Sequence, residues 1–155
     1  MKCNRKAATI LIAMLVTGFE VQATTLCAAG NPNTTSLLES TPTSAFVNVA
    51  PLASHNLTGL MWKTCPEGMV SAGTSCSGTP VALDWKGALE AATRDTTGAY
   101  ADWRLPNIKE LLSIVEYCGY SPAINQVVFP NTPSTQFWSS TTDVDDPFSA
   151  ATART

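Results

Sequence analysis

The chain has 155 residues, a formal net charge of −3, 45% hydrophobic residues and 14% charged residues. That length fits one domain, the composition is too apolar for a disordered chain, and the acidic balance excludes the basic stripe of a nucleic-acid binder. The single histidine, His55, is too little for a histidine-based metal site or a His-dependent nucleophile.

The first 23 residues read as an export leader. Lys2, Arg5 and Lys6 precede a largely apolar, uncharged run from Ala7 to Phe19, and Val21-Gln22-Ala23 offers small residues at the cleavage positions. The run is shorter than the roughly 20 residues a spanning helix needs, so it predicts a cleaved signal peptide over 1–23. The product would be periplasmic, cell-surface or secreted, with no stable membrane span. Lipid attachment at Cys27 is the weaker alternative, because Leu26 stands where a small residue is usual. Cleavage would remove Cys3, three cations and Glu20, leaving six Lys and Arg against eleven acids.

Four cysteines would then remain: Cys27, Cys65, Cys76 and Cys118. An exported chain uses an even set for disulfides, and four allow three connectivities. Cys65 and Cys76 flank a Gly- and Ser-containing loop and form the natural local pair, which leaves Cys27 with Cys118. Zinc is the competing use, but no C-x-x-C pair is present.

Residues 24–56 are rich in Thr, Ser, Asn and Pro and predict an extended lead-in with one short strand at 45–49. Residues 57–142 carry all four tryptophans, which places the core there. A strand is expected over Leu57–Lys63. A helix follows Asp84, with Trp85, Ala88, Leu89 and Ala92 on one face and Thr96-Thr97-Gly98 closing it. A second helix opens with Asn107 and Glu110 at capping-box spacing, carries Ile108, Leu111, Leu112 and Val115 as its apolar stripe, and stops at Gly119 past Cys118. A Pro- and Asn-rich loop leads to a last strand over Gln136–Thr141. Helices and strands interleave without a βαβ rhythm, so the expected class is α+β: two helices with a small, incomplete antiparallel sheet.

Five spaced motifs make the chain resemble a known family. TGLMWKTCPEG (Thr58–Gly68), DWRLPNIKELLSIVEY (Asp102–Tyr117), SPAIN (Ser121–Asn125), FPNTPS (Phe129–Ser134) and FWSSTT (Phe137–Thr142) follow one another as in the Lcl C-terminal domain family, named after a bacterial collagen-like adhesin. STPTSAF (Ser40–Phe46) resembles the lead-in that often precedes that domain. The resemblance implies an exported bacterial protein and a C-type-lectin-like fold. It further implies a role like that of the founding member, which is implicated in binding sulfated polysaccharides and in biofilm formation.

Two departures from the family pattern shape the expectation. Family domains usually continue past the WSS strand into further aromatic-rich strands, whereas 143–155 reads as a polar tail with only Val144 and Phe148 to pack. The domain is therefore expected to be truncated, with an open strand edge and an apolar patch beside Phe137 and Trp138 through which it self-associates. Secondly, the acidic balance is the wrong sign for a sulfated polymer.

The conspicuous residues each carry two readings. The four tryptophans fit core packing, the alternative being sugar stacking. Asp102, Trp103, Arg104 and Trp138 are the candidate ligand contacts; for Asp102 and Arg104 the simpler reading is a bond holding the turn into the second helix. Asp143, Asp145 and Asp146 resemble a calcium-loop fragment but lack its Gly and distal Glu, and read as a solvated tail. No nucleophile elbow, paired-carboxylate signature or phosphate loop is present. The formylglycine-generating enzymes, which share the WRLP-helix motif, act through a cysteine site late in the fold, and no cysteine follows Cys118. The expectation is a non-catalytic binding or adhesion module without cofactor or metal, with a surface polysaccharide or other cell-surface component as its partner. The alternative is a structural or degenerate domain without a ligand.

Overall fold

The computed structural model describes residues 2–4, 38–119, 121–142 and 150–154. Most of the expected leader, Cys27 and the acidic run Asp143–Asp146 lie outside them.

Strands β2 (Phe46–Val49), β3 (Leu52–His55) and β4 (Leu60–Lys63) form an antiparallel meander, and β1 (Lys2–Asn4) pairs along the free side of β4 in the order β1-β4-β3-β2. The register places Ala53 opposite Trp62 and His55 opposite both Leu60 and Phe46. Because side chains alternate across a strand, these residues share the core face. There Phe46, Ala53, Leu60 and Trp62 meet Leu111, Ile114, Ile124, Val128 and Phe129. Met61 takes the opposite face and packs with Trp103 and Leu52. Burial on both faces explains why β4 reads as a continuous apolar run.

The expected strand over Leu57–Lys63 is shorter. Leu57 is exposed in a turn closed by Gly59 N–H donating to His55 O at 2.9 Å. Strand β3 was hidden because LASH mixes small and polar residues around a single large apolar one, and it joins β2 and β4, the strands expected near 45–49 and over 57–63, into one sheet. Cys76 and Cys65 are disulfide-bonded, and the loop between them is itself a hairpin of β5 (Met69–Ser71) and β6 (Cys76–Gly78). Gly68 sets its entry at φ +86, where a Cβ would lie 2.7 Å from Thr79 O and 2.9 Å from Val81 N. Cys118 is also disulfide-bonded, but its expected partner, Cys27, lies outside the described residues.

Helix α1 (Trp85–Arg94) begins as expected, with Asp84 Oδ1 accepting from Gly87 N–H at 2.7 Å. Ala88 and Ala92 pack with Leu105, Leu83, Leu89 and Trp138. Helix α2 (Ile108–Leu112) has the full capping box of Asn107 and Glu110, yet it is much shorter than its apolar stripe implies. Val115 bridges Ile124, and Glu116 N–H donates to Ala123 O at 3.0 Å. These tertiary bonds compete with helix continuation. Ile114 consequently turns inward, while Leu112 is 44% exposed.

Strand β7 (Gln136–Thr142) is stitched to both helices: Trp85 Nε1 donates to Ser139 O at 3.0 Å and Ile108 N–H to Thr141 Oγ1 at 3.0 Å. The expected polar tail contains a further strand, β8 (Ala150–Arg154), which pairs antiparallel with β7, Phe137 opposite Ala153 and Trp138 opposite Thr152. A ladder needs only backbone donors and acceptors, so a tail poor in large apolar residues can still supply a strand. The edge expected to lie open beside Phe137 and Trp138 is thus paired by β8. Both residues are half-buried, Phe137 against the main core and Trp138 against the α1 cluster. The α+β class holds, with two helices and small antiparallel sheets.

Candidate ligand cleft

A cleft lies where β4, the segments flanking the disulfide hairpin, α1, α2 and β7 converge. It measures about 370 Å³; its deep wall is Trp62, Leu111, Ile114 and Phe129 and its outer wall includes Pro66, Val81, Leu83, Phe137 and Trp138. This volume lies at the lower end of the range for small-molecule sites. Trp138 is fixed there because its Nε1 donates to Leu83 O at 2.7 Å. Trp62 lines the cleft too and is 2% exposed, and among the described residues its Nε1 has no hydrogen-bond partner.

The rim charges pair with one another, two carboxylates to one ammonium. Lys63 Nζ donates to Asp95 Oδ2 at 2.6 Å and to Glu67 Oε2 at 3.0 Å. Burial works against the Lys63 charge, yet the two carboxylates outweigh it and raise the ammonium pKa above its ordinary value. Burial likewise opposes the Asp95 charge, and Lys63 with Thr97 overcomes it, lowering that carboxyl. Cys65, also on the cleft, is held in its disulfide.

The candidate contacts named from sequence do not converge. Only Trp138 lines the cleft. Trp103 is buried on the far face of the sheet, its Nε1 donating to Thr97 O at 2.9 Å. Arg104 forms a bidentate pair with Glu110, at 2.8 and 2.9 Å, just ahead of α2. Asp102 is exposed. Among the described residues, no group of three or more His, Cys, Asp or Glu could hold a metal ion, and no helix is long and apolar enough to cross a membrane.

Sequence reasoning missed two residues that organise the other flank. Glu116 is buried and accepts five hydrogen bonds: from Ser40 N–H and Oγ, Thr41 N–H and Oγ1, and Cys118 N–H, at 2.7–3.1 Å. Burial alone would raise its pKa; the donors, led by Cys118 N–H and Ser40 N–H, hold it below the ordinary value. Asn125 donates to Thr41 O at 2.9 Å and Thr43 Oγ1 at 3.1 Å, while its Oδ1 accepts from Val127 N–H at 3.0 Å. The signal was present as STPT, EY and SPAIN, but nothing local says that these segments meet. His55 is buried, stacked on Phe46 at 4.7 Å with Nδ1 3.0 Å from Thr58 Oγ1, and burial lowers its pKa.

No curated protein and no solved structure matches the chain. The family model of the Lcl C-terminal domain matches residues 52–154, and the chain therefore belongs to that family.

Proposed function

We propose that this protein is an exported, non-catalytic binding module that takes part of a cell-surface saccharide into the cleft. The observation that carries the reading is the cleft itself, a concave site of about 370 Å³ bounded by two tryptophans, Trp62 and Trp138. Aromatic surfaces with few polar groups suit a ligand that offers an apolar face. The acidic balance of the chain favours a neutral saccharide over a sulfated one. A non-catalytic role is supported by the rim chemistry: Glu67 is paired with Lys63 and Cys65 is in a disulfide, so neither is a free base or nucleophile. The leader-like segment supports export. A glycan array probed with the purified protein and its Trp138→Ala variant tests the reading. Binding of neutral glycans that the variant loses supports it; binding only to sulfated glycans, or to none, overturns it.

A further inference from the structure

The outer side of β4 is covered by a strand that export would remove. Residues 1–23 read as a cleaved leader, yet Lys2–Asn4 of that leader forms β1 and lies along β4, with Cys3 opposite Met61. Thr64 N–H donates to Pro51 O at 3.0 Å across the neighbouring pair. Backbone groups face alternate sides along a strand, so Trp62 turns its N–H and C=O to β3 and Met61 turns its own to β1. Loss of the leader would therefore bare the Met61 backbone in a strand whose Leu60, Met61 and Trp62 are 9, 5 and 2% exposed. The usual guards of an open edge are absent there. β4 has no proline, it pairs with β3 without a bulge, and its one charge, Lys63, is engaged by Asp95 and Glu67.

We infer that leader removal turns this side of β4 into a docking edge, and that its occupant is β4 of a second copy of this chain. The inference rests on the export reading, because cleavage after Ala23 is what vacates the edge. The leader shows what the edge accepts: an antiparallel strand as short as three residues. β4 of another copy meets that need, since two identical edges related by a two-fold axis run antiparallel to each other. With Met61 of one copy opposite Met61 of the other, Leu60 lies opposite Trp62 and Lys63 opposite Gly59. The two Lys63 residues then stand at opposite ends of the ladder, so no like charges oppose one another. The new N-terminus of the same chain is the competing strand. Cys118 is disulfide-bonded, and its expected bond to Cys27 would hold residues 24–26 on the lead-in side, where Cys118 N–H shares Glu116 with Ser40 and Thr41. The lead-in enters the sheet at β2, its opposite border.

The test starts from the full chain, purified uncleaved in mild detergent and then cut with signal peptidase, with hydrogen exchange and sedimentation as readouts. Before cutting, the Met61 amide should exchange slowly at every protein concentration, because β1 covers it. After cutting, the mass should double as concentration rises, and the Met61 amide should exchange about tenfold more slowly in the dimer than in the dilute monomer. Met61→Pro deletes that donor and should leave the cut protein monomeric; where this variant fails to fold, the exchange pattern of the wild type decides alone. A cut protein that stays monomeric overturns the inference, and a Met61 amide still protected in that monomer assigns the edge to residues 24–26. A dimer that slows exchange in β2 and leaves Met61 open also overturns it, by placing the contact at the other border. A chain that the peptidase leaves whole defeats the export reading together with the inference and makes β1 a permanent strand of the domain. A chain that is cut and does not pair defeats the docking edge alone.

Discussion

The two flanks of the core are held together by different physics. On one flank, the lead-in, α2 and the 121–129 loop are joined by side chains that satisfy nearly every polar group they bury, centred on Glu116 and Asn125, with the disulfide of Cys118 beside them. On the other, the hairpin, α1 and β7 surround a cleft, linked by one disulfide, one ion-pair triad and single indole bonds. A network of directional bonds fixes one arrangement and leaves little room. A covalent staple fixes two points and leaves the space between them to be shaped by a ligand. The polar flank therefore carries stability, and the cleft flank is where adaptation is affordable.

The sharpest way to break this contrast is Glu116→Ala. It strands four donors around a buried site, since Ser40 Oγ keeps Val115 O, and should cost about 4 kcal/mol, several buried neutral donors each losing an acceptor; a urea midpoint unchanged from wild type would show that the network is ornamental. Breaking the Cys65–Cys76 bond with a double Ser substitution should cost somewhat less, about 3 kcal/mol for a separation of 11 residues. A larger loss than that of Glu116→Ala, measured by the same denaturation, would reverse the ranking of the two flanks. Gly68→Ala forces a Cβ against Thr79 and Val81 backbone at positive φ and should cost about 2 kcal/mol, with glycan binding weakening alongside.

The smallest expected effects are those of pH, and they also sort by flank. The Glu116 pKa is depressed from 4.5 on folding, so its contribution is present above pH 4.5 and is lost as pH falls through the lower, folded value. His55 is depressed from 6.5, so the folded state disfavours its proton and stability declines as pH drops below 6.5. Lys63 is raised from 10.5, so its contribution is complete below pH 10.5 and is lost as pH rises through the folded value. Asp95, depressed from 3.8, adds an acid limb to the cleft flank, present above pH 3.8 and lost as pH falls through the lower, folded value. Thermal melts across pH should thus show an alkaline limb that Lys63→Met abolishes and an acid limb that Glu116→Gln flattens. An alkaline limb surviving in Lys63→Met would assign it elsewhere.

What could be read from sequence follows the same division between local and distant. Asp84 and Asn107 announce their helices because a cap needs only residues two or three apart. The Cys65–Cys76 pair is likewise local. Glu116 was not legible, since its donors sit 75 and 76 residues upstream and the apolar pattern around it points to more helix. Strand β8 was hidden for a different reason: AATAR has no large apolar side chain to mark a buried face, and its pairing is written in the backbone of β7. Of the cleft, only Trp138 was named as a ligand contact. Trp62 looked like any core tryptophan, because whether an indole N–H finds a partner depends on the carbonyls that tertiary structure brings near it.

The reach of the Glu116 carboxylate also decides where this folding unit starts. Family similarity begins at residue 52, but a piece excised there would leave behind Ser40 and Thr41, which provide four of the five bonds to that buried charge. It would also lose Phe46, which stacks on His55 and meets Phe129 edge-on. Such a fragment keeps the recognisable motifs and discards the partners of a buried anion, so the physical border of the domain runs ahead of residue 40. The same bonds order events during synthesis. The lead-in emerges first, yet it cannot lock until Glu116 has been made some 76 residues later, and until then it is open to proteases and to other chains.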